Sequence, residues 1–494
     1  MRSEHFDVMI VGAGLSGVGA AVHLRQNCPG KTIVLLEGRD RIGGTWDLFR
    51  YPGVRADSDM HTLGYSFKPW REPKSIADGP SILAYVKDAA REHDVEPHIR
   101  FRHKVTKAAW SSGDAAWHVE AERAESGETV RFTCNFLYLC AGYYSYRKGH
   151  APEFAGRGRF KGQVVHPQEW PENFDYAGKR VLVIGSGATA MTLVPAMAKT
   201  AGHVAMLQRS PTYVVSRPER DAIANFLRKV LPERWAYAIT RWKNVAFQQR
   251  VYRRTRTHPL QVKKVLLDMV RKELGPDYDI ETNFTPRYNP WDQRLCLIPN
   301  SDLFEAIRSG KASVVTDQVE SFTQKGVVLR SGRELEADIL VTATGLNLVL
   351  LGEMQFRVDG KPVDFAKTWT YKGLLVSGVP NLVSTFGYIN ASWTLRADLT
   401  AEYVCRLLNH MDRCGARQAT PRLRTGDAAM PARPWIDGFS SGYMQRAMHL
   451  FPRQGDREPW INPQNYGRDR KMIRGAALED GVLQFSNPAL RDAA

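Results

Sequence analysis

No apolar run in this chain of 494 residues approaches the roughly 20 residues that a membrane-spanning helix needs; the longest are strand-sized. The opening MRSEHFDVMIVGAG moves straight into a strand and a Gly-rich turn. It lacks a basic head followed by a cleavable apolar core, so no secretion signal is expected, and a cytoplasmic location is the expectation, with a membrane-peripheral one as its alternative. The six cysteines (Cys28, Cys134, Cys140, Cys296, Cys405, Cys414) are scattered and form no Cys-x-x-Cys. A chain of this length does not depend on disulfides, so reduced thiols are expected. Solenoid repeats and low-complexity tracts are absent, and no metal site is expected.

What is present is an ordinary globular composition, 43% hydrophobic, in a chain long enough for two to four domains. The formal net charge is +16, unevenly spread. Arg217–Lys272 holds 15 Lys/Arg against four acids (Glu219, Asp221, Glu233, Asp268). Its spacing is helical, and Arg interleaves with Trp235, Trp242, Phe247 and Tyr252. A solvated basic face, a peripheral contact with an anionic membrane and a lid over a cavity all fit this segment. Nothing else in the chain points to nucleic acid.

Two βαβ units are legible. In the first, FDVMIVGAGLSGVGAAVHLRQ is followed by KTIVLLEGRD. Gly12, Gly14 and Gly17 form G-x-G-x-x-G, which allows a tight turn, close approach of a pyrophosphate and close helix packing; the helix N-terminus then offers free N–H groups. Glu37 ends the second strand, 20 residues past Gly17, where an acid accepts ribose hydroxyls and repels a 2′-phosphate. FAD or NAD fits this unit; NADP does not. In the second unit, KRVLVIGSGATAMTLVPAMAK carries Gly185, Gly187 and Ala190, with Thr189 among the cofactor-binding candidates. Its second strand ends in Gln208 and Arg209 rather than an acid, and the Arg209 fork suits the 2′-phosphate of NADP.

Two nucleotides in one chain imply hydride transfer from NADPH to FAD. With no Cys pair to receive the electrons, a disulfide reductase is disfavoured, leaving oxygen or another small acceptor. The expected fold is α/β, with two Rossmann-like dinucleotide-binding domains (FAD and NADP) and a helical insertion. The first part of the FAD domain is expected over 1–150, a linker over 151–175, and the NADP domain over 176–335 with its insertion at about 217–285. The second FAD part and C-terminal region take 336–494.

Within that linker, Phe160-x-Gly162-x-x-x-His166-x-x-x-Trp170-Pro171 resembles the fingerprint of type I Baeyer–Villiger monooxygenases. Relatives that oxygenate nitrogen or sulfur share its first half but typically lack the Trp-Pro ending. A second family motif is matched by Gly43-Gly44-x-Trp46, Tyr51-Pro52-Gly53 and Asp57, making Gly44, Thr45 and Trp46 further cofactor-binding candidates. YNPWDQRLCLIPNSDLFEAIRSG and NASWTLRADL look like the subgroup containing the ethionamide-activating monooxygenase. The resemblance covers nearly the whole chain.

It implies that reduced FAD adds O2, and that the resulting C4a-peroxyflavin converts a ketone to an ester or lactone; sulfides and thioamides are further possible substrates. By resemblance Arg294 is the fixed cation of this chemistry and Asp57 orients it; Arg keeps its proton at any working pH. Many family members place Lys just before that Arg; Gln293 stands here, leaving Arg209 as the main phosphate cation. Asn390 and Trp393 are expected on the flavin's substrate side. His166 invites an acid–base reading, but its position between the nucleotide units favours a hinge. Oxygenation mainly at sulfur or nitrogen, and a non-oxygenating FAD/NADP redox sensor, are the competing readings. The sequence does not fix the oligomeric state.

Overall fold

The computed structural model describes residues 3–488. The chain begins with β1 (Glu4–Val11), α1 (Leu15–Asn27) and β2 (Ile33–Leu36). Three helices follow, α2 (Thr45–Leu48), α3 (Met60–Leu63) and α4 (Gly79–Glu92). Strands β3 (Ile99–Arg100), β4 (His103–Ser111), β5 (Ala116–Arg123) and β6 (Thr129–Leu139) complete this half. β1 lies between β2 and β6, parallel to both. Period-2 alternation sends Val8 and Ile10 of β1 to one face and Met9 and Val11 to the other. Both faces are covered, which explains the unbroken apolar reading of the strand.

The segment β7 (Gln163–Val165) leads to β8 (Arg180–Ile184), α5 (Ala188–Met197), β9 (His203–Gln208) and β10 (Val214–Arg217). The insertion consists of α6 (Ala222–Val230), α7 (Glu233–Thr257), α8 (Pro259–Leu274) and α9 (Ile280–Phe284). Then come β11 (Cys296–Pro299), α10 (Asp302–Arg308) and β12 (Ala312–Thr316). A meander of β13 (Val319–Phe322), β14 (Gly326–Leu329) and β15 (Glu334–Glu336) precedes β16 (Ile339–Thr342). The second sheet is wholly parallel, in the order β12-β9-β8-β16-β7.

Two expected boundaries are corrected here. β16 lies beyond 335 yet pairs with β8 in the second sheet, so the return to the first domain comes after it. The stretch 151–175 is no free linker, because β7 within it is the edge strand of that same sheet. A buried parallel strand looks alike in either sheet, so sequence pattern alone cannot allocate it. After β16 the chain rejoins the first sheet through β17 (Gln355–Val358), parallel to β4. Leu382–Ser384 then pairs with β6. The long α11 (Trp393–Cys414) packs along α1 and closes the first domain.

Candidate functional site

β1 ends at Gly12, whose φ of +101° and tight surroundings exclude a side chain: a Cβ there would lie 2.6 Å from the Cys140 carbonyl oxygen. A Cβ on Gly17 would collide with the Gly12 carbonyl, so α1 can approach the turn only with glycine in place. Gly14 caps α1 in extended conformation and bridges to Gly43, bringing Gly44, Thr45 and Trp46 at the start of α2 onto the same cavity wall. The Thr45 side chain hydrogen-bonds the Tyr146 phenol, which burial pushes up to about 12. Glu37 is buried and accepts from the Ala13 N–H (2.8 Å) and the Arg39 N–H (2.9 Å). Burial raises its carboxyl pKa despite those two bonds. Glu37 therefore ties the turn together and keeps further lone pairs for a ligand.

The second turn opens into the same cavity, which has a volume of about 1080 Å³. Gly185, Gly187 and Thr189 at the start of α5 line it, as does Arg209 just past β9. Arg209 is exposed and, among the described residues, has no ion-pair partner. Thr189 hydrogen-bonds the phenol of Tyr51, whose pKa burial raises to about 12; Tyr51 comes from the first domain.

Between the turns, Arg294 and Asp57 meet with Nη2 and Oδ2 2.5 Å apart, their side chains 30% and 33% exposed. Both line the cavity. Arg294 Nη1 also donates to the Ile389 carbonyl at 3.2 Å. Burial opposes the guanidinium charge. The Asp57 carboxylate and the phenols of Tyr443, Tyr143 and Tyr144 outweigh it, and the pKa stands above its ordinary value. Tyr144 donates to Tyr143 Oη at 2.7 Å, and Tyr143 stacks on Trp393 at 5.0 Å and 7°. Trp393 Nε1 donates to Ser16 Oγ at 2.7 Å, beside the first turn. Trp393 lines the cavity, whereas Asn390 does not: its amide donates to the Gln464 carbonyl at 2.9 Å.

Sequence reasoning missed the three tyrosines. Tyr143 and Tyr144 follow β6 in AGYYSY, just past the carboxyl end of a parallel strand, and that position was their available signal. Cys140 and Cys296 also line the cavity, but burial pushes both thiols up to about 12, so they stay protonated near neutrality. Among the described residues no cluster of His, Cys, Asp or Glu could hold a metal ion.

The profile of flavin-binding monooxygenase-like proteins (FMO-like) matches residues 7–368. The chain belongs to that family. It is 52% identical to the FAD-containing monooxygenase EthA of Mycobacterium tuberculosis over 485 residues, 98% of each chain. It is 50% identical to the putative FAD-containing monooxygenase MymA of the same species over the full length of both. A solved structure described as oxidized steroid monooxygenase bound to NADP superposes with a TM-score of 0.77 at 23% identity, covering 98% of this chain and 100% of that one; this likeness bears on the fold. Among the described residues of this flavin-dependent monooxygenase, no helix is long and apolar enough to cross a membrane.

In this monooxygenase the fingerprint stretch joins two chain crossings between the domains. Phe160 is buried in the second domain's core beside Phe322 and Leu340. Gly162 is wedged between the Asp338 carbonyl and the Phe160 ring. The first crossing, residues 143–150, runs beside the second, 344–350, with Ser145 N donating to Asn347 O at 2.8 Å. His166 Nε2 lies 3.2 Å from Gly345 O on one crossing, and Gln168 Nε2 donates to Ser145 O at 2.8 Å on the other. The Gln168 N–H donates to His166 Nδ1 at 3.1 Å, which makes Nε2 the protonated nitrogen. Burial lowers the His166 pKa, so the ring is neutral with both nitrogens engaged, an arrangement for joining rather than for proton transfer. Trp170 packs edge-on against Phe174 at 5.3 Å on the second domain's core, and Pro171 is exposed.

The segment carrying Asp57 is held on both sides. Arg55 pairs with Asp302 of α10 at 2.5 Å. Asp59 accepts from Asn244 (2.9 Å) and Gln248 (2.7 Å) of α7.

Proposed function

We propose that this monooxygenase binds FAD at the Gly12–Gly17 turn and NADPH at the Gly185–Thr189 turn, and inserts an oxygen atom from O2 beside a ketone carbonyl to give an ester or lactone. The observation that carries the reading is the Arg294–Asp57 pair, set between two dinucleotide turns in one cavity. The residues present fit both cofactors. The first turn has no room for a Cβ at Gly12, presents the N-terminus of α1, and ends on the acid Glu37. The second offers Arg209, whose charge is uncommitted among the described residues. Both turns lie on the wall of one continuous cavity of about 1080 Å³, so the two cofactors would meet in it. When bound and reduced by NADPH, FAD supplies the activation of O2.

The protein's share of the chemistry falls to Arg294. Two of its five N–H donors are engaged, by Asp57 and Ile389 O, and the rest remain for an anionic oxygen derived from the substrate carbonyl. Its raised pKa means that it stabilises such a charge without protonating it. Asp57 fixes the plane of the fork. Trp393 and Tyr143 form an aromatic wall beside this cation, suited to an apolar substrate. The His166–Gln168 junction holds both interdomain crossings and so governs how far the nucleotide domains can rotate.

A panel of simple ketones and sulfides, scored for oxygenated product as well as NADPH consumption, tests the proposal. Ester or lactone from ketones supports it. Product from sulfides alone moves the reading to heteroatom oxygenation. NADPH binding with no product from any class leaves the redox-sensor reading.

A further inference from the structure

Among the described residues, ten of the eleven large apolar side chains that stand exposed lie between Ile223 and Met269, on the helical insertion. On α7, Trp235 (58% exposed), Ile239 and Trp242 (71%) recur at i, i+4 and i+7 and form one stripe. On the adjacent α6, Ile223, Phe226 (62%) and Val230 do the same at i, i+3 and i+7. The opposite stripe of α7 is already committed. Ala236, Tyr237 and Thr240 are buried. Arg241 pairs with the buried Asp398 at 3.1 Å and donates to the Gly64 carbonyl at 2.7 Å. Asn244 and Gln248 hold Asp59. The insertion is thus anchored by its polar stripe, and packing among the described residues leaves the apolar one exposed.

The charge around that stripe identifies its partner. Lys229, Arg234, Arg250, Arg253 and Arg254 have no ion-pair partner among the described residues. Nearby acids are neutralised: Glu233 by Arg71 and Asp221 by Lys243. Arg250 and Arg253 extend the outward stripe of α7 past Trp242, so the face passes from aromatic and aliphatic to basic along one helix. Trp and Phe interleaved with uncompensated Arg and Lys match an interface of hydrocarbon below and anionic headgroups above. The aliphatic Ile223, Val230 and Ile239 offer nothing for bases to stack on, which disfavours single-stranded nucleic acid. We propose that α6 and α7 form a docking face for an anionic lipid surface, seated peripherally.

Co-sedimentation of the full-length holoenzyme with vesicles tests this independently of catalysis. Binding is expected to phosphatidylcholine vesicles containing about one third phosphatidylglycerol, to weaken as salt rises, and to be slight on pure phosphatidylcholine. Trp235→Ser/Trp242→Ser and Arg250→Glu/Arg253→Glu should each cut partitioning at least roughly tenfold, with bound flavin and NADPH consumption unchanged. Several results would overturn the proposal: no sedimentation, equal binding to both lipids, or variants that bind like the parent. So would a concentration-dependent dimer that Trp242→Ser dissolves, which would assign the face to a second copy of this chain.

Discussion

Replacing Arg294 by Ala removes the cation of the ion pair set between the two nucleotide turns, and its effects should separate into a small structural part and a large chemical one. The Coulomb attraction in such a pair is about 4 kcal/mol at 4 Å for an effective dielectric of ~20. Both side chains are about a third exposed, so hydration returns most of that, and the stability change should be about 1 kcal/mol. The transition state is affected more. Loss of a preorganised donor at a developing oxyanion costs on the order of 10²–10³ in kcat. Arg294→Ala should therefore retain its flavin, unfold within a few degrees of the parent, consume NADPH and release peroxide, while product falls by at least ~10². Arg294→Lys keeps a charge but cannot bond Asp57, Ile389 O and substrate together, so it should fall between the two. Asp57→Ala leaves the cation present but unfixed and should cost less than Arg294→Ala. The assay is product by chromatography beside NADPH loss by absorbance. Product formation within threefold of the parent in flavin-loaded Arg294→Ala would refute the role assigned to this residue.

Arg209→Ala should raise the KM for NADPH by roughly 10–100-fold and leave that for NADH nearly unchanged, the loss of a charge-assisted phosphate contact; equal rises would remove Arg209 from the phosphate site. Gly12→Ala should purify without flavin, since its Cβ would stand 2.6 Å from a backbone oxygen at a φ that side chains avoid; a normal flavin content would contradict the cradle. Trp170→Ala should keep flavin but lower the ratio of product to NADPH consumed, because it loosens the junction rather than the turns; parent-like coupling and peroxide release would count against the hinge. For His166, burial holds the folded pKa below the ordinary 6.5, so the unfolded chain takes up its proton first. This contribution is intact above 6.5 and is lost as pH falls through the folded value. Denaturant melts at about pH 7.5 and 5.5 should show a smaller drop for His166→Gln than for the parent, and equal drops would place the acid sensitivity elsewhere.

The turns at Gly12 and Gly185 were legible because their constraint is local: strand, glycine and helix N-terminus lie within a dozen or so residues. The Arg294–Asp57 pair was reachable only through resemblance. Its members come from different domains, and no periodicity records a contact that only tertiary folding makes. Asn390 was expected on the cavity wall with Trp393, yet three residues nearer the N-terminus is enough to turn its amide towards Gln464. The outward stripe of α7 was legible only in part. The interleaving of Arg with Trp235 and Trp242 left a solvated face, a membrane contact and a lid open, and only the commitment of the other stripe to Asp59 and Asp398 shows which side chains face outward.

The placement of Asp57 gives the junction its chemical meaning. Arg294 belongs to the second domain's loop before β11, whereas Asp57 belongs to the first domain, so their ion pair crosses the boundary that His166 and Gln168 bridge. Arg55–Asp302 crosses the same boundary two residues away, and Asp59 is gripped by the insertion. Any rotation of the nucleotide domains must either carry these contacts along or break them. Large rotation would cost at least these two ion pairs at once, and small rotation would keep the guanidinium on its carboxylate. The position of the cation and the relative position of the domains are therefore one variable. A hinge substitution such as Trp170→Ala should thus lower coupling without touching the cavity, whereas Arg55→Ala should lower it from the other side of the boundary. If the two act through this variable, their combination should lose less than the product of the separate losses; full multiplication would mean that hinge and strap act independently.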